Sequence, residues 1–134
     1  MTLNELNGLY YLDREINDLE TQIEKLRTEA EKCTATLSDM PKGNNVNDKV
    51  GRLASAIADY RSLLVMTKEE RVKKSSEIHA FILGIEDEQT RRAFYLKFVL
   101  CLSWEEVGQR LGGGNSAASA RMRVVRYLKK EGLK

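Results

Sequence analysis

The chain has 134 residues, 31% charged and 42% hydrophobic, with one proline and a net charge of +2. That balance suits long solvated helices better than a large sheet-based core. No run approaches the roughly 20 apolar residues that span a bilayer, and the opening MTLNELNGLYYLDREIN lacks the basic start and apolar stretch of a signal peptide, so the expectation is a cytoplasmic all-α protein with no membrane partner.

From Leu9 the apolar positions run Leu9, Leu12, Ile16, Leu19, Ile23, Leu26, Ala30, Cys33 and Leu37. Steps of three and four keep them on one narrow stripe, the pattern of a coiled-coil seam. Charged residues such as Asp13, Glu15, Asp18, Glu24 and Arg27 fill the intervals, and Thr2 or Asn4 is placed to cap the start. The segment 38–47, SDMPKGNNVN, predicts a turn, because Pro41 cannot continue a helix and the Gly and Asn residues favour turns.

Asn47 or Asp48 is then expected to cap a second helix of roughly equal length. Its stripe is Val50, Leu53, Ile57, Tyr60 and Leu64, then Thr67, Arg71 and Lys74, and again Ile78, Phe81 and Ile85. Two helices of equal length joined by a short turn suggest an antiparallel coiled-coil hairpin over residues 1–84. The polar middle of the second stripe leaves part of the first seam unmatched, which points to a homodimer. Cys33 and Cys101 sit among apolar residues and read as small hydrophobes, without a disulfide.

Residues 85–134 form the second expected domain, a three-helix module. Charge collects there: residues 1–47 hold five Lys/Arg against nine Asp/Glu, whereas residues 85–134 hold ten against six. EDEQTRRAFYLKFVLCLS has acids where a helix dipole favours them, and Ala93, Phe94, Leu96, Phe98, Val99 and Leu100 predict its central core helix. Ser103 with Glu106 reads as a capping box opening a short helix over 104–111. Gly112, Gly113 and Gly114 end it, and Asn115 or Ser116 caps a last helix reaching about Lys130. A short helix, a glycine turn and a longer basic helix make a helix-turn-helix pattern.

At 100° per residue, Ala117, Ala120, Val124 and Leu128 share one side of the last helix, and Ser119, Met122, Arg123, Arg126 and Lys130 the other. In a major groove, Ser116, Ser119 and Arg123 would face bases and Arg126, Lys129 and Lys130 phosphates. Arg121 lies nearer the core flank, where Glu105 or Glu106 could pair with it. The plainer alternative is a solvated basic face with no ligand.

The stretch Asp87–Lys130, with RRAFYLKFVLCLSWEEVGQRLG and a basic helix ending RYLKK, resembles region 4 of bacterial sigma factors, which binds promoter −35 elements through its recognition helix. The wider chain, through GLYYLDREI, MPKGNNVNDKVGRLA and LSWEEVGQRLGGGN, is similar to a family of small phage and prophage proteins described as sigma-like late-gene transcription regulators. The resemblance implies double-stranded DNA as partner, possible contact with RNA polymerase, a bacterial host cytosol, and DNA contacts at Ser116, Ser119, Arg121, Arg123 and Arg126. Two positions depart from the region 4 pattern. Gly108 stands where Ala is usual, and Ala117-Ala118 supply fewer polar base-readers.

Other chemistry finds little purchase. One histidine, His79, cannot build a catalytic triad or a multi-histidine metal site, and two separated cysteines do not complete a zinc site. The three glycines lack the Lys-Ser/Thr and the preceding strand of a phosphate-binding loop. Trp104, in the first turn of a capped helix, reads as a core residue. No enzyme activity, cofactor or metal is expected. The alternatives to a DNA-binding regulator are an adaptor contacting RNA polymerase or a sigma factor, and a phage DNA-packaging component.

Overall fold

The computed structural model describes the backbone of residues 1–37 and 44–132, and the side chains of these apart from 34–37 and 44–47. Every regular element among the described residues is helical. They are α1 (Leu3–Leu6), α2 (Gly8–Leu37), α3 (Asn44–Leu83), α4 (Glu88–Phe94), a π-helical turn (Tyr95–Val99), α5 (Trp104–Leu111) and α6 (Ala117–Lys130). Pro41 and Gly43, expected in the first turn, lie outside the described residues. Asn47 and Asp48, expected as caps, fall inside α3, which begins at Asn44.

The chain divides into two compact units, Asp13–Glu69 and a unit combining Met1–Leu12 with Glu70–Lys134. In the first, the apolar stripe of α2 is the shielded one. Leu19 and Ile23 are buried, and Ile16, Leu26, Ala30 and Cys33 are half-buried. From α3, Val50, Leu53, Ile57, Tyr60 and Leu64 are half-buried and Thr67 is buried. The Thr67 hydroxyl donates to Leu63 O at 2.8 Å, so a polar side chain is accommodated there without an unmet bond. Lys68–Glu20 at 3.9 Å and Lys49–Glu29 at 3.8 Å link the two helices. These pairs are exposed and add little.

In the second unit Thr2 caps α1. Its hydroxyl accepts from Glu5 N, and the Glu5 carboxylate accepts from Thr2 N. This turn brings Leu6 to a fully buried position, followed by Leu9 at the start of α2. Both join a core with Ile78, Ile82, Ile85, Phe94, Phe98, Val107, Val124 and Leu128. The core therefore runs through the expected boundary at 84/85. Lys74, a polar interruption of the second stripe, lays its stem along Gly8, where a Cβ would lie 3.3 Å from Lys74 Cδ. Two of the three polar residues in the middle of the second stripe are thus placed, Thr67 by burial and Lys74 over Gly8.

The helix expected to open on the acids of EDEQ begins at Glu88, with Asp87 as its cap, and changes character at Tyr95. Leu100 N donates to Tyr95 O at 3.2 Å, a five-residue step, and Leu102 N to Leu96 O at 3.2 Å. Cys101 ends the segment at φ 56°, which side chains rarely adopt. The wider turn shifts the phase of the residues after it. Phe98 stays buried, while Leu100, expected in the core, is turned out. Phe94 is the hub of the aromatic packing, with centroids 5.4 Å from Phe98, 5.4 Å from Tyr127 and 5.8 Å from Phe81.

Ser103 caps α5 by accepting from Glu106 N at 3.3 Å, half of the expected box. Gly112, Gly113 and Gly114 follow at φ 67°, 60° and 78°, a left-handed run open only to glycine without strain. The start of α6 then crosses α5 closely at Gly108. A Cβ there would meet Ser116 C at 2.8 Å and Ser116 O at 2.9 Å. Those are backbone atoms, so relief requires the helices to separate.

Two outcomes follow from this packing. Gly108→Ala is expected to lower stability by roughly 1–3 kcal/mol through overpacking, although alanine is favoured over glycine by about 1 kcal/mol in an open helix; a denaturant titration with unchanged or raised stability contradicts the close crossing. Leu6→Ala should cost roughly 2–5 kcal/mol, read as a lower melting temperature of the near-ultraviolet signal from Trp104. A dispensable Leu6 would mean that the N-terminal turn is outside the core.

Candidate nucleic-acid interface

The residues of α6 separate by environment along its length. Ala120, Val124 and Leu128 are buried and Ala117 is half-buried, whereas Ala118, Ser119, Arg121, Met122, Arg126, Lys129 and Lys130 are exposed. Glu131, just past the helix, is the first acid after Glu106. With its backbone oxygens directed along α6, this end also favours the cations Lys129 and Lys130 in its last turn.

The expected base-facing residues are not equivalent. Ser116 and Ser119 form a full capping box: Ser119 N donates to Ser116 Oγ at 3.2 Å and Ser116 N to Ser119 Oγ at 2.8 Å. Ser119 Oγ also lies 3.3 Å from Asn115 Oδ1. Both hydroxyls are exposed but already serve the helix start, the stronger determinant of why α6 begins at this point. Arg121 is exposed and forms no ion pair with Glu105 or Glu106 among the described residues.

Arg123 is held by the protein. Its Nη1 lies 3.3 Å from Asp87 Oδ2, and its Nε is buried without an acceptor. A stranded buried donor is unfavourable by roughly 1–3 kcal/mol, and an exposed ion pair offsets little of that. Asp87 caps α4 with the same oxygen, accepting from Thr90 N at 3.0 Å and Thr90 Oγ1 at 2.6 Å. These bonds, Thr90's first and then the Arg123 charge, hold the Asp87 carboxyl below its ordinary pKa. The DEQT cap is readable locally in the sequence. The tie from Asp87 to a residue 36 positions away has no such signal.

Three other cations of the C-terminal segment turn back to the backbone. Arg91 Nη1 donates to Ile85 O at 3.0 Å, Arg92 Nη2 to Arg110 O at 3.2 Å, and Lys97 Nζ to Leu102 O at 3.1 Å. Lys97 also stands 4.9 Å from the Trp104 ring centroid, and Trp104 is half-buried against the core. A groove beside α6 has Glu86, Asp87 and Thr90 on one wall and Ser119, Arg123 and Arg126 on the other. Tyr127 borders it, its hydroxyl pKa raised by burial and then by the charges of Glu131 and Glu86.

Among the described residues no group of three or more His, Cys, Asp or Glu side chains is placed to hold a metal, and no helix is long and apolar enough to cross a membrane. Cys33 and Cys101 are both half-buried. His79 is exposed on α3, with Nδ1 2.8 Å from Ser75 O. Against protein-family profiles, curated proteins and solved structures, the chain has no match.

The depressed Asp87 pKa has a defined sign. Its contribution to stability is present above the ordinary carboxylate pKa and is lost as pH falls through the lower folded-state value. Thermal melts of wild type and Asp87→Ala are expected to differ most near neutrality and to begin to converge only below about pH 4. A difference that persists unchanged into acid would mean that the carboxylate charge is not what the cap and the arginine use.

Proposed function

We propose that residues 85–134 form a helix-turn-helix module that binds double-stranded DNA with α6 in the major groove, as part of a phage-type transcription regulator. In this reading α2 and α3 form an antiparallel coiled-coil hairpin that pairs two copies. The observation that carries it is the sidedness of α6, where Ala120, Val124 and Leu128 are buried while Arg121, Arg126, Lys129 and Lys130 stand exposed. A groove-binding helix needs this arrangement, because phosphates attract its cations while its other side stays anchored in a core.

Further features support the reading. The close passage at Gly108 ties α6 to α5 at its N-terminal end, the end that meets base edges in such modules. Ala118 is small and exposed there, and Met122 follows one turn later, 44% exposed. Both offer apolar contact to a thymine methyl without competing for hydrogen bonds. The likeness to sigma region 4 around Trp104–Asn115 supplies the transcriptional context.

Fluorescence anisotropy with a mixed-sequence duplex across a salt series tests this directly. Binding is expected to be tight at low salt and to weaken linearly on a logarithmic plot. In Arg126→Ala/Lys130→Ala the slope should fall by about two, one for each phosphate contact. Absence of binding at low salt in the folded protein would overturn the DNA-binding role. Capture of RNA polymerase or a sigma factor by that same protein would then identify an adaptor.

A further inference from the structure

Unlike the exposed Arg126, Lys129 and Lys130 on the same helix, Arg123 is held in place before any ligand arrives. Thr90 fixes the Asp87 carboxylate with two donors, at 3.0 and 2.6 Å, and Asp87 fixes the Arg123 guanidinium at 3.3 Å. The Asp87–Arg123 ion pair itself adds little stability, because it is exposed, and the buried Nε has no acceptor. Free in water, that nitrogen would be hydrated. An arginine ordered in advance does, however, spare a binding step the loss of its rotamer freedom.

A guanidinium only donates. With Nε buried and one Nη1 hydrogen directed at Asp87, Nη2 and the second Nη1 hydrogen remain for a ligand. The base edge that offers two neighbouring acceptors in the major groove is guanine, through N7 and O6. Adenine and cytosine place an amino group there, and thymine a methyl. We propose that Asp87 and Arg123 act as one reading unit that selects guanine in duplex DNA, Arg123 contacting the base and Asp87 positioning it, an assignment that rests on the DNA-binding role above.

The test is selection of bound duplexes from a random pool by the full chain, by Asp87→Ser and by Arg123→Lys. Serine keeps a capping oxygen for α4 but is too short to reach Arg123, and lysine keeps the charge without the fork. The wild type is expected to enrich guanine at one position about tenfold over other bases. Both variants should lose that enrichment at that position and retain preferences elsewhere, with Asp87→Ser melting close to wild type. Guanine enrichment that survives in Asp87→Ser, or losses spread evenly over every position, would overturn the unit and leave a phosphate contact or a structural tie. A wild type that binds duplex without preferring guanine at any position overturns the unit alone. One that binds no duplex at low salt overturns the DNA-binding role as well.

Discussion

The close passage of α6 over Gly108 is the constraint on which the C-terminal arrangement depends. The missing side chain lets Ser116 and Ala117 approach to distances that a Cβ would block. Helix α6 therefore begins against α5, and its buried residues follow at Ala120, Val124 and Leu128. Once those three positions are committed to the core, the 3.6-residue repeat leaves Ser119, Met122 and Arg126 on the other side. The glycine turn and the Ser116–Ser119 capping box fix where the helix begins. Orientation of the basic residues thus follows from steric fit and backbone capping, and charge is added to a position already set.

The same core reaches well beyond the C-terminal segment. Leu6 and Leu9 from the chain start, and Ile78 and Ile82 from the end of α3, are buried with Phe94 and Val124. The segment from residue 85 onward is short for an independent core, because little of its surface can be removed from water. Recruiting four more buried aliphatic side chains compensates for that. It also explains why the start of α2 and the end of α3 carry fully buried residues such as Leu9 and Ile78.

Much of this was legible in the residues. The three-four spacing along α2 and α3 marked the shielded positions, including Ile78 and Ile85, and the angular sorting of α6 separated Val124 from Arg126 correctly. Ser103, Ser116 and the three glycines announced the helix limits through local chemistry. What escaped were features without a local pattern. The π-helical turn adds one residue's worth of phase without any distinctive composition, so Leu100 looked like core and is exposed. Leu6 precedes the first heptad and joins the core only through the Thr2-capped turn. The Asp87–Arg123 tie bridges 36 positions and depends on packing that periodicity does not encode.

Apart from Arg123, which pairs with Asp87, seven cations of the C-terminal segment fall into two groups. Arg91, Arg92 and Lys97 bind backbone carbonyls and stabilise the scaffold, whereas Arg121, Arg126, Lys129 and Lys130 are exposed on α6. A duplex should engage the second group and leave the first undisturbed. Amide and side-chain NMR shifts during titration with a short duplex test that division most directly. Changes are expected to concentrate on residues 115–130, with Arg91, Arg92 and Lys97 unaffected. Shifts centred on α2 or α3, or none along α6, would contradict it.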